Sequence, residues 1–138
     1  MPTVNQRIKY RAGYKYQLAE TYQVAVPIFP SEPIASEFIS LGRDGALTIA
    51  KGYAWNGPSG PAADTKNFMR GSLVHDALYQ LMREGRLDAA LWRDHADVLL
   101  RDMCVEDGMS KIRAWWVYTA LQRFGSVAFD RAEILEAP

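Results

Sequence analysis

One cysteine and two histidines are all that 138 residues hold of the side chains most often used to bind zinc. The lone Cys104 excludes an intrachain disulfide and a cysteine-built zinc site. Two histidines with no HExxH pair leave no familiar zinc motif, and the HD phosphohydrolase pattern needs more histidines than the chain has. An excess of one charge is missing too, since 16 basic residues meet 16 acidic ones. A general nucleic-acid binder needs a basic surplus to release counterions, so no nucleic acid is expected as a partner. No apolar run approaches a membrane span, and the opening "MPTVNQRIKY" has no apolar core of a signal peptide.

What remains is an ordinary globular composition, 49% apolar and 23% charged, in a chain long enough for one domain with a real core. Cys104 lies in an apolar-periodic stretch and reads as a buried small hydrophobe. The pattern changes near residue 60. Before it, β-branched and aromatic residues alternate with polar ones, and Pro27, Pro30, Pro33 and "GRDG" mark turns. Strands are expected at 14–18, 22–28, 37–41 and 46–51, the last two joined at "RDG" with Gly45 at positive φ.

After residue 63 the period is helical. Asp64 or Thr65 caps a helix running to about Glu84, with Gly85 after it, and Asp88 caps a second that Gly108 ends. A third starts at Ser110 and breaks or continues at Gly125, before a fraying "EILEAP". The expectation is a single α+β domain: a small N-terminal antiparallel sheet (1–52), a Gly/Pro loop (53–65), then an antiparallel helical hairpin and a third helix (66–130). In the second helix Leu91, Val98, Leu99 and Cys104 suggest the buried stripe, with Asp97 beside it, Asp94 and Arg101 at its edge, and His95 facing solvent or an edge.

The stretch "NFMRGSLVHDALYQLM" carries the chemistry. His75 and Tyr79 are four apart and share a helical face, Ser72 lies one turn earlier, and Asp76 is about 100° round from His75. The short connection "EGRLDA" makes the first two helices antiparallel neighbours, so Asp97 can face His75. A carboxylate on one imidazole nitrogen fixes the tautomer and leaves the other as a base. The same residues could equally form a hydrogen-bonded knot in a core. The loop "YAWNGPSGPAADT" exposes backbone carbonyls and amides able to coordinate a cation or cradle an anion, or it is a tight sheet-to-helix connection. Ser72 lacks a nucleophile elbow.

Two resemblances rest on these residues. "YAWNGPSGPAADTKNFMRGSLVHDALYQLM", "RDHAD" and "WVYTALQRFG" together resemble domain-of-unknown-function family 1353, over roughly residues 35 to 125. That resemblance implies a phage or prophage protein, found in the host cytoplasm or the virion, and implies no activity. The glycine-rich loop, then His-Asp-x-x-Tyr, then an aspartate on an antiparallel helix, resembles the phospholipase A2 arrangement. It implies His75 as base, Asp97 as its orienting carboxylate and Tyr79 as a hydrogen-bond donor to Asp97. It also implies Asp76 as a Ca²⁺ ligand, with the loop around Trp55, Gly57 and Gly60 completing the metal site. This chain differs from that family in having no disulfides, and Pro58 and Pro61 alter the loop.

The expected function is a phage-encoded, Ca²⁺-assisted hydrolase of an ester, with membrane phospholipid the partner it implies. The alternative is a non-catalytic virion, tail or accessory protein that binds another phage or host protein through Trp92, Trp115 and Trp116. "AWWVY" reads as core by pattern, and as an interface if exposed. An open cleft at His75 and Asp76 goes with the first reading. A closed pocket there, with aromatic surface elsewhere, goes with the second.

Overall fold

The computed structural model describes residues 8, 10–11, 16–55 and 66–135, with side chains described for 8, 16–55 and 66–123. Among these, seven short strands precede three helices: β1 (Tyr10–Arg11), β2 (Tyr16–Leu18), β3 (Tyr22–Ala25), β4 (Ile34–Ala35), β5 (Ile39–Leu41), β6 (Ala46–Ile49), β7 (Ala54–Trp55), α1 (Lys66–Arg83), α2 (Ala89–Glu106) and α3 (Lys111–Leu135). The fold is α+β, a small antiparallel β region followed by packed helices. The strands form two sheets, ordered β1-β2-β7 and β3-β6-β5-β4. The expected single sheet is thus divided, because β2 pairs with β7, a strand inside the stretch read as loop.

The β5–β6 hairpin turns at Gly45, with φ +86°. A Cβ there would lie 2.1 Å from the Val26 carbonyl oxygen, so close backbone approach and left-handed φ both call for glycine. β3 stops at Ala25, short of the expected Ile28. Its partner β6 begins at Ala46, and Pro27 has no N–H to extend the ladder. Alternation nevertheless continues past the last pair: Val24, Val26 and Ile28 are buried, while Gln23, Ala25 and Pro27 are exposed.

α1 is the central element. Every residue from Phe68 to His75 is buried, as befits a helix covered on all sides. One side joins the sheet core through Met69, Leu73 and Leu81. Phe68 meets Leu100, Cys104, Met109 and Ala114 in a second cluster shared by the three helices. Gly71 lets α2 approach closely, since a Cβ there would sit 2.7 Å from Leu100 Cδ1 and 3.3 Å from Cys104 Sγ. Gly85 (φ +74°) ends α1, and the Arg86 N–H bonds the Leu81 carbonyl. The expected caps Asp64 and Thr65 lie outside the described residues.

α2 begins as expected, the Asp88 carboxylate accepting from the Ala90 N–H. Its buried stripe is Ala96, Asp97, Leu100, Met103 and Cys104. Leu91 does not belong to it and is 56% exposed, because the stripe is rotated to put Asp97 within it. α3 starts at the Ser110 cap and runs through Gly125 to Leu135, so "EIL" of the expected tail is helical. No helix among the described residues is long and apolar enough to cross a membrane.

Candidate functional site

Antiparallel packing of α1 on α2 brings His75 opposite Asp97. Nε2 of His75 lies 2.7 Å from Asp97 Oδ1. A carboxylate only accepts, so this nitrogen carries the hydrogen, and in the neutral ring Nδ1 holds the lone pair. Tyr79, one turn along α1, donates its hydroxyl to the same Oδ1 at 2.7 Å, and its ring lies 4.1 Å from the imidazole centre. From α3, the Gln122 amide donates to Asp97 Oδ2 at 2.8 Å. Asp97 is 1% exposed, so these donors stand in for the water that an ionised carboxylate would otherwise hold.

Asp76 is turned aside as its position on the helix requires. Its Oδ1 is 4.0 Å from His75 Nδ1, and the side chain is partly open to solvent. Burial disfavours the imidazolium, but Asp76 and Asp97 together outweigh it and raise the His75 pKa above its ordinary value. Burial, then the bond to Asp97, holds the Tyr79 hydroxyl well above the usual phenol range, so it stays a donor.

Trp55, expected beside a metal, is buried, with its indole N–H donating to Ser72 Oγ at 3.1 Å. Ser72 in turn donates to the Met69 carbonyl. It is thus occupied in tying β7 to α1. Tyr53 adds a bond to Gln80. Gly57 and Gly60 lie outside the described residues. Among the described residues no three His, Cys, Asp or Glu side chains converge as a metal-binding group. Asp76 is the carboxylate beside His75 Nδ1. A calcium centre takes 6–8 oxygens, so residues 56–65 would have to supply most of the rest.

The structure thus joins His75, Asp97 and Tyr79 as expected, sets Asp76 at their margin, and keeps His95 exposed against Trp92. His75 is 7% exposed, not lying in an open cleft. Trp115 and Trp116, read as core, are 52% and 62% exposed and packed edge-to-face on each other. They lie on the outer side of α3, whose buried residue here is Ala114. A groove of about 320 Å³ between α2 and α3 is lined by Arg101, Asp102, Val105, Lys111 and Trp115, and contains none of the site residues.

Two features were not read from sequence. Gln122 is one; an amide on a helix gives no signal of its own. Arg70 is the other. Its guanidinium, 3% exposed, bonds both Asp107 oxygens, Glu106 and the Tyr22 hydroxyl. The available sign was a single cation inside the apolar run "FMRGSLV". No protein-family model matches the chain, and no curated protein or solved structure matches it.

Proposed function

We propose that the protein is a phospholipase-like ester hydrolase in which His75 activates water and Asp97 orients it. The supporting observation is the polarity of the His75–Asp97 bond: the carboxylate takes Nε2–H and leaves Nδ1 on the side of Asp76. Nδ1 removes a proton from water as its oxygen bonds the ester carbonyl carbon. Asp97, held by Tyr79, stabilises the imidazolium. The imidazolium then returns the proton to the departing alkoxide, giving acid and alcohol. Asp76 and backbone carbonyls from residues 56–65 would hold Ca²⁺, a hard cation suited to those oxygens. When bound it supplies polarisation of the ester carbonyl. Phospholipid is the substrate class that the arrangement suggests, and the sequence motifs support a phage-encoded protein.

Calorimetric Ca²⁺ titration of wild type and Asp76→Asn, beside phospholipid hydrolysis by wild type and His75→Ala, tests this. Binding lost in the first variant and turnover lost in the second are expected. Neither binding at millimolar Ca²⁺ nor turnover in the wild type would reduce the site to a core network.

A second reading is supported by both features that go with it, a closed His75 and aromatic surface elsewhere. Ile112, Trp115 and Trp116 are exposed together on α3, and aromatic anchors concentrate binding energy at interfaces. On this reading the chain binds a phage or host protein and His75 is structural. Serine at both 115 and 116 separates the two: hydrolysis of a dispersed short-chain phospholipid survives under the first, while partner binding is lost under the second.

A further inference from the structure

We propose that Gln122 is a positioning residue for the His75–Asp97 pair, holding the carboxylate in the plane that aims Oδ1 at the imidazole. The kinetic consequence rests on the hydrolase reading; the positioning itself does not.

The two donors from α1 converge on one oxygen. His75 Nε2 and Tyr79 Oη each stand 2.7 Å from Oδ1 of Asp97. The terminal torsion of an aspartate is broad and two-fold, so donors on a single oxygen leave the carboxylate free to rock about it. Oδ2 needs a donor from another direction. Gln122 Nε2 provides it at 2.8 Å, from α3. The carboxylate is then gripped at both oxygens by two different helices.

The grip is set by how α3 lies on α2. One turn before Gln122, the Tyr118 hydroxyl donates to Asp94 Oδ1 at 3.0 Å, and the Arg101 guanidinium stands 5.1 Å from the centre of the Tyr118 ring. These contacts fix the helix from which the amide reaches inward. The choice of an amide has a reason as well. A lysine or arginine at 122 would satisfy Oδ2 but would neutralise the charge that Asp97 offers the imidazolium. Glutamine donates a hydrogen bond without competing for that charge.

The test uses the full chain with two substitutions. Gln122→Leu removes the donor, and Gln122→Glu keeps the shape while putting a like charge in its place. The first readout needs no metal: the downfield proton signal of His75 Nε2–H, assigned by its disappearance in His75→Ala. Wild type is expected to show it, and both variants to lose it to exchange with water while still melting cooperatively. The second readout is hydrolysis of dispersed phospholipid with Ca²⁺ present. There kcat is expected to fall about 10- to 100-fold, with KM changed by less than about twofold. An unchanged N–H signal in Gln122→Glu overturns the proposal whatever the kinetics. If Gln122→Leu fails to fold, the glutamate variant decides alone. If wild type hydrolyses nothing, the hydrolase reading falls, and the proton signal still decides the role of Gln122.

Discussion

Asp97 is buried to 1% exposure and accepts from His75, Tyr79 and Gln122, so its charge is compensated only while those donors stay in place. Asp97→Asn keeps the volume but puts an amide where only an acceptor fits. The loss should be about 3 kcal/mol, as when one partner of a buried pair is removed. The effect depends on pH. Folding raises the His75 pKa above its ordinary 6.5, so the folded chain holds that proton more tightly than the unfolded chain does. The pair's contribution is therefore complete below the unfolded pKa and is lost as pH rises through the folded one. Urea unfolding at about pH 6 and about pH 9 should show wild type losing more stability on this rise than Asp97→Asn does. The polar cast of this cluster was legible: His75, Tyr79 and Asp97 were related by helical spacing and a short connection. Gln122 was not, because the rotation of α3 about its axis depends on packing against α2 that no local pattern encodes.

Among the elements, α1 was readable in extent and misleading in character. Its periodicity gave a helix, but burial on nearly every side follows from its place between the sheet core and the other two helices. Gly71 belongs to that setting. Gly71→Val would drive a branched side chain into Leu100 and Cys104, and should cost about 1–3 kcal/mol despite replacing a poor helix former. Equilibrium denaturation gives the value, and an unchanged midpoint would mean that the helices are not in close contact there. The rotation of α2 that exposes Leu91 shows the same limit. Apolar residues at 91, 98 and 99 outline a stripe almost as well as the true one, and only the presence of α1 and α3 selects between them. Short strands fared worst. β4 and β7 have two residues each, too few to show an alternation; β4 pairs with the neighbouring β5, whereas the partner of β7 is β2, far back along the chain.

Across the whole molecule, Arg70 is the clearest tie between the halves. It reaches Tyr22 on β3 with one nitrogen and Glu106 and Asp107 at the end of α2 with the others. Burial alone would disfavour its charge, but the bonds to Asp107 and Tyr22 more than compensate and keep the guanidinium fully charged. Arg70→Met should therefore cost about 3 kcal/mol, and Arg70→Lys should restore only part of it, because an ammonium cannot reproduce the forked contact. Thermal melts of the three proteins test the ranking; a lysine variant as stable as wild type would reduce the role of Arg70 to its charge. The second cluster, beneath this tie, contains Cys104 at 0% exposure, its thiol pushed up to about 12 chiefly by burial. As the chain's single cysteine, it is a built-in clock for opening: a thiol reagent can modify it only when α1 and α2 part, so the labelling rate should follow the unfolding rate and accelerate in Gly71→Val.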